Sequence, residues 1–127
     1  MAATLSGKIA VVTGASRGIG RRVAARLGAN GAAVALVARG QAGLEETAAE
    51  IHAKGGCADV FPADLSHSNP SVIVVLKSMI ETTLGVPSIL INAAGVFGPI
   101  SLIKDVSTTE WLETIAINTL TPCLLCQ

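Results

Sequence analysis

A glycine-rich stretch near the start of the chain has the composition of a phosphate-binding loop. The stretch TGASRGIG, residues 13–20, follows the apolar run KIAVVT and opens a segment of helical spacing. A helix N-terminus presents unpaired amides and a partial positive charge, so phosphate binds there where the backbone can approach closely. We expect Gly14 to permit a tight turn, Gly18 to admit a pyrophosphate, and Gly20 to let the helix pack against the sheet. The spacing G-x3-G-x-G is not the commonest GxGxxG fingerprint, so the prediction depends on the loop lying between a strand and a helix.

Two cysteines near the end of the chain have the spacing of a redox or zinc motif. Cys123 and Cys126 form a CxxC, and Cys57 is the third cysteine. The sequence has no second CxxC and no histidine pair at ligand spacing, and the surrounding PCLLC is apolar. We therefore interpret the pair as two small core residues on one helix face, with no metal site and no disulfide framework.

The elements that must position these residues alternate in type. The predicted strands are KIAVVT, AAVALVAR, ADVFPADL and SILINAAG, and a segment of helical spacing follows each of them. Asn69-Pro70 predicts a helix start and favours a helix over a strand for SVIVVLKSMIETTL. Ser107 and Glu110 form a capping box that begins the last helix. The alternation predicts an α/β, Rossmann-type, doubly wound parallel sheet in three αβα layers, with strand order 3-2-1-4 and one domain over residues 1–127.

That strand order predicts where a ligand would bind. The direction of winding reverses between strands 1 and 4, which leaves a crevice at their carboxyl ends, and the glycine loop opens into it. The helical spacing also predicts which side chains face the sheet. They are Ile19, Val23, Ala24 and Leu27 on the first helix, and Leu44, Ala48 and Ile51 on the second.

Composition argues against several classes of partner. The formal net charge is zero and the sequence pI is about 6.7, so no basic surface for nucleic acid is indicated. Mean hydropathy is +0.61, but the most apolar segment, ILINAAGVFGPISLI, is interrupted by Asn92, Gly95, Gly98 and Pro99, so we expect no membrane span. The first residues lack the pattern of a secretory signal, and we expect a cytoplasmic protein.

Three features in the same order resemble one enzyme family. TGASRGIG matches the TGxxxGxG cofactor loop of the short-chain dehydrogenases/reductases, and NAAG at residues 92–95 resembles their NNAG motif after strand 4. Asn118 falls on the next helix, where the family carries a catalytic asparagine. The whole chain is therefore similar to the N-terminal half of such an enzyme. Ala93 departs from the pattern, because the family usually has a second asparagine there, and a strand-stabilising hydrogen bond should be weaker.

The resemblance implies an oxidoreductase that transfers hydride between a nicotinamide dinucleotide and a small carbonyl or alcohol substrate. It implies a catalytic role for Asn118. Asp64 resembles an aspartate that contacts adenine in the family, although a turn residue of no function would look the same. The residues that the resemblance and the loop chemistry assign to cofactor binding are Gly14, Ser16, Arg17, Gly18, Ile19, Gly20, Arg39, Asp64, Leu65, Asn92, Ala93 and Gly95.

Charge at the end of strand 2 predicts which cofactor is used. Many folds that bind NAD carry an acid there, which holds the ribose hydroxyls and would repel a 2′-phosphate. Here Arg39 takes that place and Arg17 lies in the glycine loop, and both resemble the basic pair of family members that prefer NADP. We predict NADP(H) over NAD(H), with solvated surface arginines as the alternative. We interpret the arginines of the first helix, at positions 21, 22 and 26, as solvated.

The residues that complete the family's chemistry are absent from the sequence. The resemblance implies a serine after strand 5 and a YxxxK pair, but the chain has no tyrosine. We therefore expect a truncated, inactive, cofactor-binding half of an oxidoreductase. The alternative is a non-catalytic nucleotide-binding or interaction module. Strand 4 should form an exposed apolar edge, and a homo-oligomer is expected.

Pro122 allows two predictions about the last helix. Proline lacks an N–H, so within a helix it leaves the carbonyl four residues earlier, that of Asn118, without its partner. In the family the corresponding main chain holds a water of a proton relay. The alternative is that the helix ends near residue 118.

Overall fold

A computed structural model, which describes residues 4–127, contains one four-stranded parallel sheet with strand order β3-β2-β1-β4. The predicted strand order is confirmed. The strands are β1 (Ile9–Thr13), β2 (Ala33–Ala38), β3 (Cys57–Pro62) and β4 (Ile89–Asn92). The helices are α1 (Gly18–Ala29), α2 (Gln41–Ala53), α3 (Pro70–Thr83), α4 (Thr108–Ile115) and α5 (Thr121–Leu125). A 3₁₀ turn, Ile103–Asp105, precedes α4, and a π-helical segment, Ala116–Leu120, joins α4 to α5.

The sheet is covered on both faces, as the three-layer prediction requires. Alternate residues of each strand face opposite sides of a sheet. Val12 and Leu36 lie in a buried cluster with residues of α1 and α2, whereas Val11 and Val37 lie in a second cluster with residues of α3. Strands buried on both faces explain why β1 and β2 are almost uninterrupted apolar runs. Among residues 4–127, no helix has both the length and the apolar character that a membrane crossing needs.

The buried stripe of α1 consists of small residues. Gly20, Ala24 and Gly28 are buried, whereas Ile19 is 79% exposed, so the prediction that Ile19 faces the sheet is wrong. A Cβ added to Gly28 would lie 2.7 Å from Cγ2 of Ile51 on α2. Helix α1 thus approaches its neighbours where a side chain is missing. Apolar spacing identified Ala24 and Leu27 correctly, but it could not identify the two buried glycines.

The predicted caps begin α3 and α4. The Asn69 side chain accepts a hydrogen bond from the Ser71 amide at 2.9 Å, and Pro70 is the first residue of α3. The Ser107 hydroxyl accepts from the Glu110 amide at 3.2 Å, while the Glu110 carboxylate accepts from the Ser107 amide. Each cap pairs amides that a helix start otherwise leaves without partners. The helix prediction for residues 70–83 is confirmed.

The helical run continues past Asn118, so the alternative that it ends there is wrong. Residues 116–120 widen into a π turn, in which the Thr121 amide donates to the Ala116 carbonyl. Pro122 lies in the first turn of α5. A π turn shifts the hydrogen-bond register by one residue, and such turns are common at functional positions. The prediction of two core cysteines is also wrong, because Cys123 and Cys126 are both exposed.

Candidate functional site

The glycine loop is built around two close backbone contacts. Gly14 has φ +64°, and a Cβ added to it would lie 2.7 Å from the Ala94 nitrogen and 2.8 Å from the Ala93 carbonyl. A Cβ on Gly20 would collide with the carbonyl oxygen of Gly14. Gly20 therefore packs against the turn that leaves β1, as well as facing the core. Both positions require glycine because backbone, rather than a flexible side chain, fills the space.

Gly18 and Arg17 form the open part of the loop. Gly18 has φ +58°, and apart from its chain neighbours and the backbone of α1, no atom of the described residues lies within 4 Å of the position that a Cβ would take. Arg17 is the N-cap of α1, its side chain makes no capping hydrogen bond, and the first turn contains no acid. The first amides of α1 therefore receive no hydrogen bond from the side chain of the N-cap residue, and the space beside Gly18 is open. An anionic group fits this arrangement.

Helix α2 fixes the loop from the other side. The Ala15 amide donates to the Val37 carbonyl at 3.2 Å, and the buried Thr47 hydroxyl donates to the Ala15 carbonyl at 2.8 Å. A Cβ on Gly43 would lie 2.9 Å from Cβ of Ser16, so α2 runs directly against the loop. Sequence reasoning missed Thr47 and Gly43. Thr47 could have been noticed in the sequence, because it is a polar residue among the apolar residues of the buried face of α2.

Thr13 joins the loop to β4. It is 1% exposed and pairs in register with Asn92 across the β1–β4 ladder. Its hydroxyl accepts from the Ala94 amide at 3.1 Å and donates to the Ile91 carbonyl at 3.5 Å. The glycine loop and the NAAG segment consequently lie side by side at the carboxyl ends of neighbouring parallel strands. This is the crevice that the strand order predicts.

Asn118 closes the next side of the crevice. Its Oδ1 accepts from the Val96 amide at 2.9 Å, and its Nδ2 donates to the Val96 carbonyl at 2.8 Å. A Cβ on Gly95 would lie 3.0 Å from the same Oδ1, so the glycine gives the asparagine room. The Asn118 side chain thus ties the π-helical segment to the loop that follows β4.

A second polar network joins the π-helical segment to the loop between β3 and α3. The Ser68 hydroxyl donates to the Ala116 carbonyl at 2.7 Å and lies 2.8 Å from the Thr121 hydroxyl, which donates to the Leu65 carbonyl at 2.8 Å. Ser68 has φ +46°, an uncommon conformation for a residue other than glycine. Thr121 is 1% exposed. Sequence reasoning missed both residues, and no local pattern would have identified them.

The charged residues divide into two groups. Arg17 and Arg39 are exposed and make no ion pair with any residue in the range 4–127. Arg21 instead donates to Glu46 and Glu50 of α2, both at 3.2 Å, and these carboxylates raise its pKa. The prediction that Arg21 is simply solvated is therefore wrong. Arg22 and Arg26 are exposed, as predicted.

Asp64 lies at the carboxyl end of β3, close to Arg39. Its carboxylate accepts from the Ser66 hydroxyl at 2.6 Å and from the Ser66 amide at 2.9 Å. These hydrogen bonds lower the pKa of Asp64, and its electrostatic interactions with the nearby Arg39 and His67 side chains add to the effect. Asp64 is exposed, whereas the neighbouring Leu65 is 4% exposed and belongs to the core. The Leu65 carbonyl accepts hydrogen bonds from the Thr121 hydroxyl and the Ser68 amide.

Comparison with known proteins identifies this arrangement. The family model described as short chain dehydrogenase matches residues 8–127, nearly the whole sequence. The chain belongs to the short-chain dehydrogenase family. That family is one of oxidoreductases that use a nicotinamide dinucleotide, and the glycine loop, the NAAG segment and Asn118 are the positions at which the chain resembles it.

Relatives of known activity and structure extend beyond this chain. It is 40% identical over 114 residues to 2,3-dihydro-2,3-dihydroxybenzoate dehydrogenase of Bacillus subtilis, covering 90% of this chain and 42% of the relative. It is 37% identical over 115 residues to the 3-oxoacyl-[acyl-carrier-protein] reductase FabG of Pseudomonas aeruginosa, covering 91% and 45%. A metagenomic short-chain oxidoreductase in complex with NADP has a TM-score of 0.90 and 40% identity, covering 95% and 54%. The chain therefore spans about half the length of the relatives it matches.

Proposed function

We propose that residues 1–127 form a single domain that binds the cofactor of an NADP-dependent oxidoreductase. The cofactor supplies or accepts the hydride that is exchanged with a carbonyl or alcohol substrate. Residues of this chain bind and orient it. The observation that carries the proposal is the start of α1, which no side chain caps, together with Arg17 at its N-cap, Arg39 directly after β2 and no acid at the end of β2. Neither arginine makes an ion pair with the residues that the structure describes.

The glycine loop fits the diphosphate of a dinucleotide. Gly18 leaves space beside the first amides of α1, and Ser16, Ile19 and Gly20 line the same turn. The 79% exposure of Ile19 leaves its side chain free to contact the cofactor. Two tethers to the backbone of Ala15 hold the turn in place, so little conformational entropy would be lost on binding.

Arg17 and Arg39 are assigned to the 2′-phosphate of NADP. A guanidinium forms charge-assisted and often bidentate hydrogen bonds with phosphate. Neither arginine is held by a carboxylate within the range 4–127, so binding a phosphate breaks no ion pair there. The solved NADP complex of a relative at 40% identity supports the same choice. Asp64 is assigned to the adenine, beside Arg39 at the next strand end.

The far side of the crevice is assigned to the nicotinamide half. Asn92, Ala93 and Gly95 form its wall next to β1, and Asn118 holds that wall through both polar atoms of its side chain. We assign Asn118 to the catalytic machinery, through the carbonyl that Pro122 leaves without its usual helical donor. Tyrosine is absent from the sequence, so residues 1–127 alone should bind cofactor without turnover. A cytoplasmic location and assembly into a homo-oligomer are part of the same proposal.

The test compares two charge reversals in the 127-residue chain. Arg39→Asp should lower NADPH affinity at least tenfold and leave NADH affinity unchanged, because hydrogen bonds to charged groups are worth about 1.5–3 kcal/mol. Arg26→Asp makes the same charge change on an exposed residue in the last turn of α1 and should alter neither affinity by more than twofold. Cofactor fluorescence titration measures both constants. Equal NADPH affinity in wild type and Arg39→Asp would refute the phosphate assignment.

A further inference from the structure

The exposed cysteine pair at the end of the chain is not used by the proposed function. Cys123 lies within α5, and Cys126 is the residue that follows its last turn. Both are free and exposed, in contrast to the core position that their apolar neighbours predicted. Exposure changes what the pair can do, because a buried thiol is inert whereas an accessible one can react.

Helical geometry brings the two cysteines close together, but not yet to the distance of a disulfide. Residues three apart in an α-helix lie on the same face, with Cα atoms about 5 Å apart. Disulfides join Cα atoms that are roughly 4.4–6.8 Å apart, but their Cβ atoms must approach to about 3.8 Å, closer than a helix alone places them. Cys126 caps the helix, with φ −77° and ψ −12°, and its amide bonds to the Pro122 carbonyl at 3.1 Å. Closure therefore requires local unwinding of the last turn of α5, where the Cys126 amide bonds to the Pro122 carbonyl.

The contacts of Cys126 place the pair beside the crevice. The Asn92 side-chain amide donates to the Cys126 sulfur at 3.9 Å, and Asn92 is the last residue of β4. That contact holds the Cys126 sulfur at the carboxyl end of β4. Cys57 offers no such arrangement, because it lies on β3 at the opposite edge of the sheet and has no second cysteine near it in sequence.

We infer that Cys123 and Cys126 form a reversible dithiol–disulfide site, oxidised by low-molecular-weight disulfides such as oxidised glutathione. The Cys126 thiolate attacks one sulfur of the oxidant, forming a mixed disulfide and releasing one thiolate. The Cys123 thiolate then attacks Cys126, forming the protein disulfide and releasing the second thiolate. Two electrons pass from the protein to the oxidant, and two protons leave the protein thiols. This inference stands apart from the proposed cofactor function.

The ligand set favours redox chemistry over a metal site. Structural zinc takes four ligands, usually cysteine and histidine. Within residues 4–127 there is no group of three or more His, Cys, Asp or Glu side chains that could hold a metal ion. Two thiols with no third ligand are sufficient for a disulfide.

Mass spectrometry of the oxidised chain tests the inference directly. Trypsin separates the pair, on residues 105–127, from Cys57, on residues 55–77. The reduced 127-residue chain is equilibrated with oxidised glutathione, the remaining thiols are alkylated, and the peptides are weighed. Residues 105–127 should lose the mass of two hydrogen atoms, resist alkylation, and recover both thiols after treatment with dithiothreitol. Cys57 should stay alkylated or carry one glutathione.

Single variants test the order of the steps. In Cys123→Ser, Cys126 should retain one glutathione because the resolving thiol is gone, and it should acquire it several-fold faster than Cys123 does in Cys126→Ser. Cys57→Ser should leave the oxidation of the pair unchanged. Wild-type peptide 105–127 with glutathione on both cysteines, or linked to a second chain, would overturn the inference. Faster reaction of Cys123 than of Cys126 would contradict the role given to Cys126.

Discussion

Replacing Gly14 and Gly18 separately by alanine tests the structure of the glycine loop. Their φ angles, +64° and +58°, are nearly equal, so alanine meets the same backbone strain at both positions, roughly 1–2 kcal/mol. The surroundings differ. A Cβ at Gly14 would lie 2.7–2.8 Å from the Ala93–Ala94 peptide, whereas a Cβ at Gly18 would meet no described residue within 4 Å apart from its chain neighbours and the backbone of α1.

The crowding at Gly14 adds a second cost. Backbone must move, because the atoms nearest the new methyl group belong to the peptide that follows β4. Overpacking of this kind typically costs about 1–3 kcal/mol. We therefore expect Gly18→Ala to lower the free energy of unfolding by about 1–2 kcal/mol, and Gly14→Ala by about 2–5 kcal/mol.

Urea unfolding followed by circular dichroism measures both changes. The midpoints are compared only between variants for which the free energy of unfolding falls with urea concentration at the same slope. NADPH titration should rank the two variants the other way, because the less destabilised variant, Gly18→Ala, should lose more affinity for the cofactor. Gly18→Ala places a methyl group where the diphosphate would approach and should weaken binding at least tenfold in a chain that remains folded. If the two variants lost the same free energy of unfolding to within about 0.5 kcal/mol, the role given to the Gly14 contact would be refuted.

Two further predictions concern the networks around the crevice. Thr121→Val removes a buried hydroxyl that donates to the Leu65 carbonyl and lies beside the Ser68 hydroxyl, so it should lower the free energy of unfolding by about 1–3 kcal/mol in urea titrations, and a change near zero would contradict the network. Ser66→Ala should raise the pKa of Asp64 toward its ordinary value, as measured by NMR titration. Because folding lowers this pKa, the wild-type contribution to stability is present above the unfolded-state pKa and is lost as pH falls through the folded-state pKa, and Ser66→Ala should reduce that acid sensitivity. An unchanged Asp64 titration in Ser66→Ala would show that the Ser66 hydroxyl, the donor this variant removes, does not lower that pKa.

The sheet, its order and most helix boundaries could be predicted from the sequence because each depends on local patterns. Strand-length apolar runs, the Asn69-Pro70 start and the Ser107 capping box lie within a few residues of the feature they determine. The glycine loop could be placed for the same reason, since its position follows from the strand before it and the helix after it.

Features that depend on tertiary contacts could not be predicted. Apolar spacing assigned Ile19 to the sheet, but the buried stripe of α1 is made of Gly20, Ala24 and Gly28, and glycine has no side chain to register as apolar. The ion pairs of Arg21 require carboxylates on α2, 25 and 29 residues later. The bond from Ser68 to the π-helical segment spans 48 residues, so no sequence window contains both partners.

The cysteine pair shows how composition can mislead. Apolar neighbours in PCLLC favoured a buried position, yet Cys123 and Cys126 are exposed on a helix whose buried residue is Thr121. The polar residue is inside because its hydroxyl donates to the Leu65 carbonyl, which offsets the cost of removing it from water.

Direct comparison of the two cofactors tests the central claim. The unmodified 127-residue chain is titrated with NADPH and with NADH under identical salt and pH, and the two dissociation constants are compared. The account predicts that NADPH binds at least tenfold more tightly, as one guanidinium–phosphate contact of about 1.5 kcal/mol requires. Equal affinity for the two cofactors, or tighter binding of NADH, would contradict it.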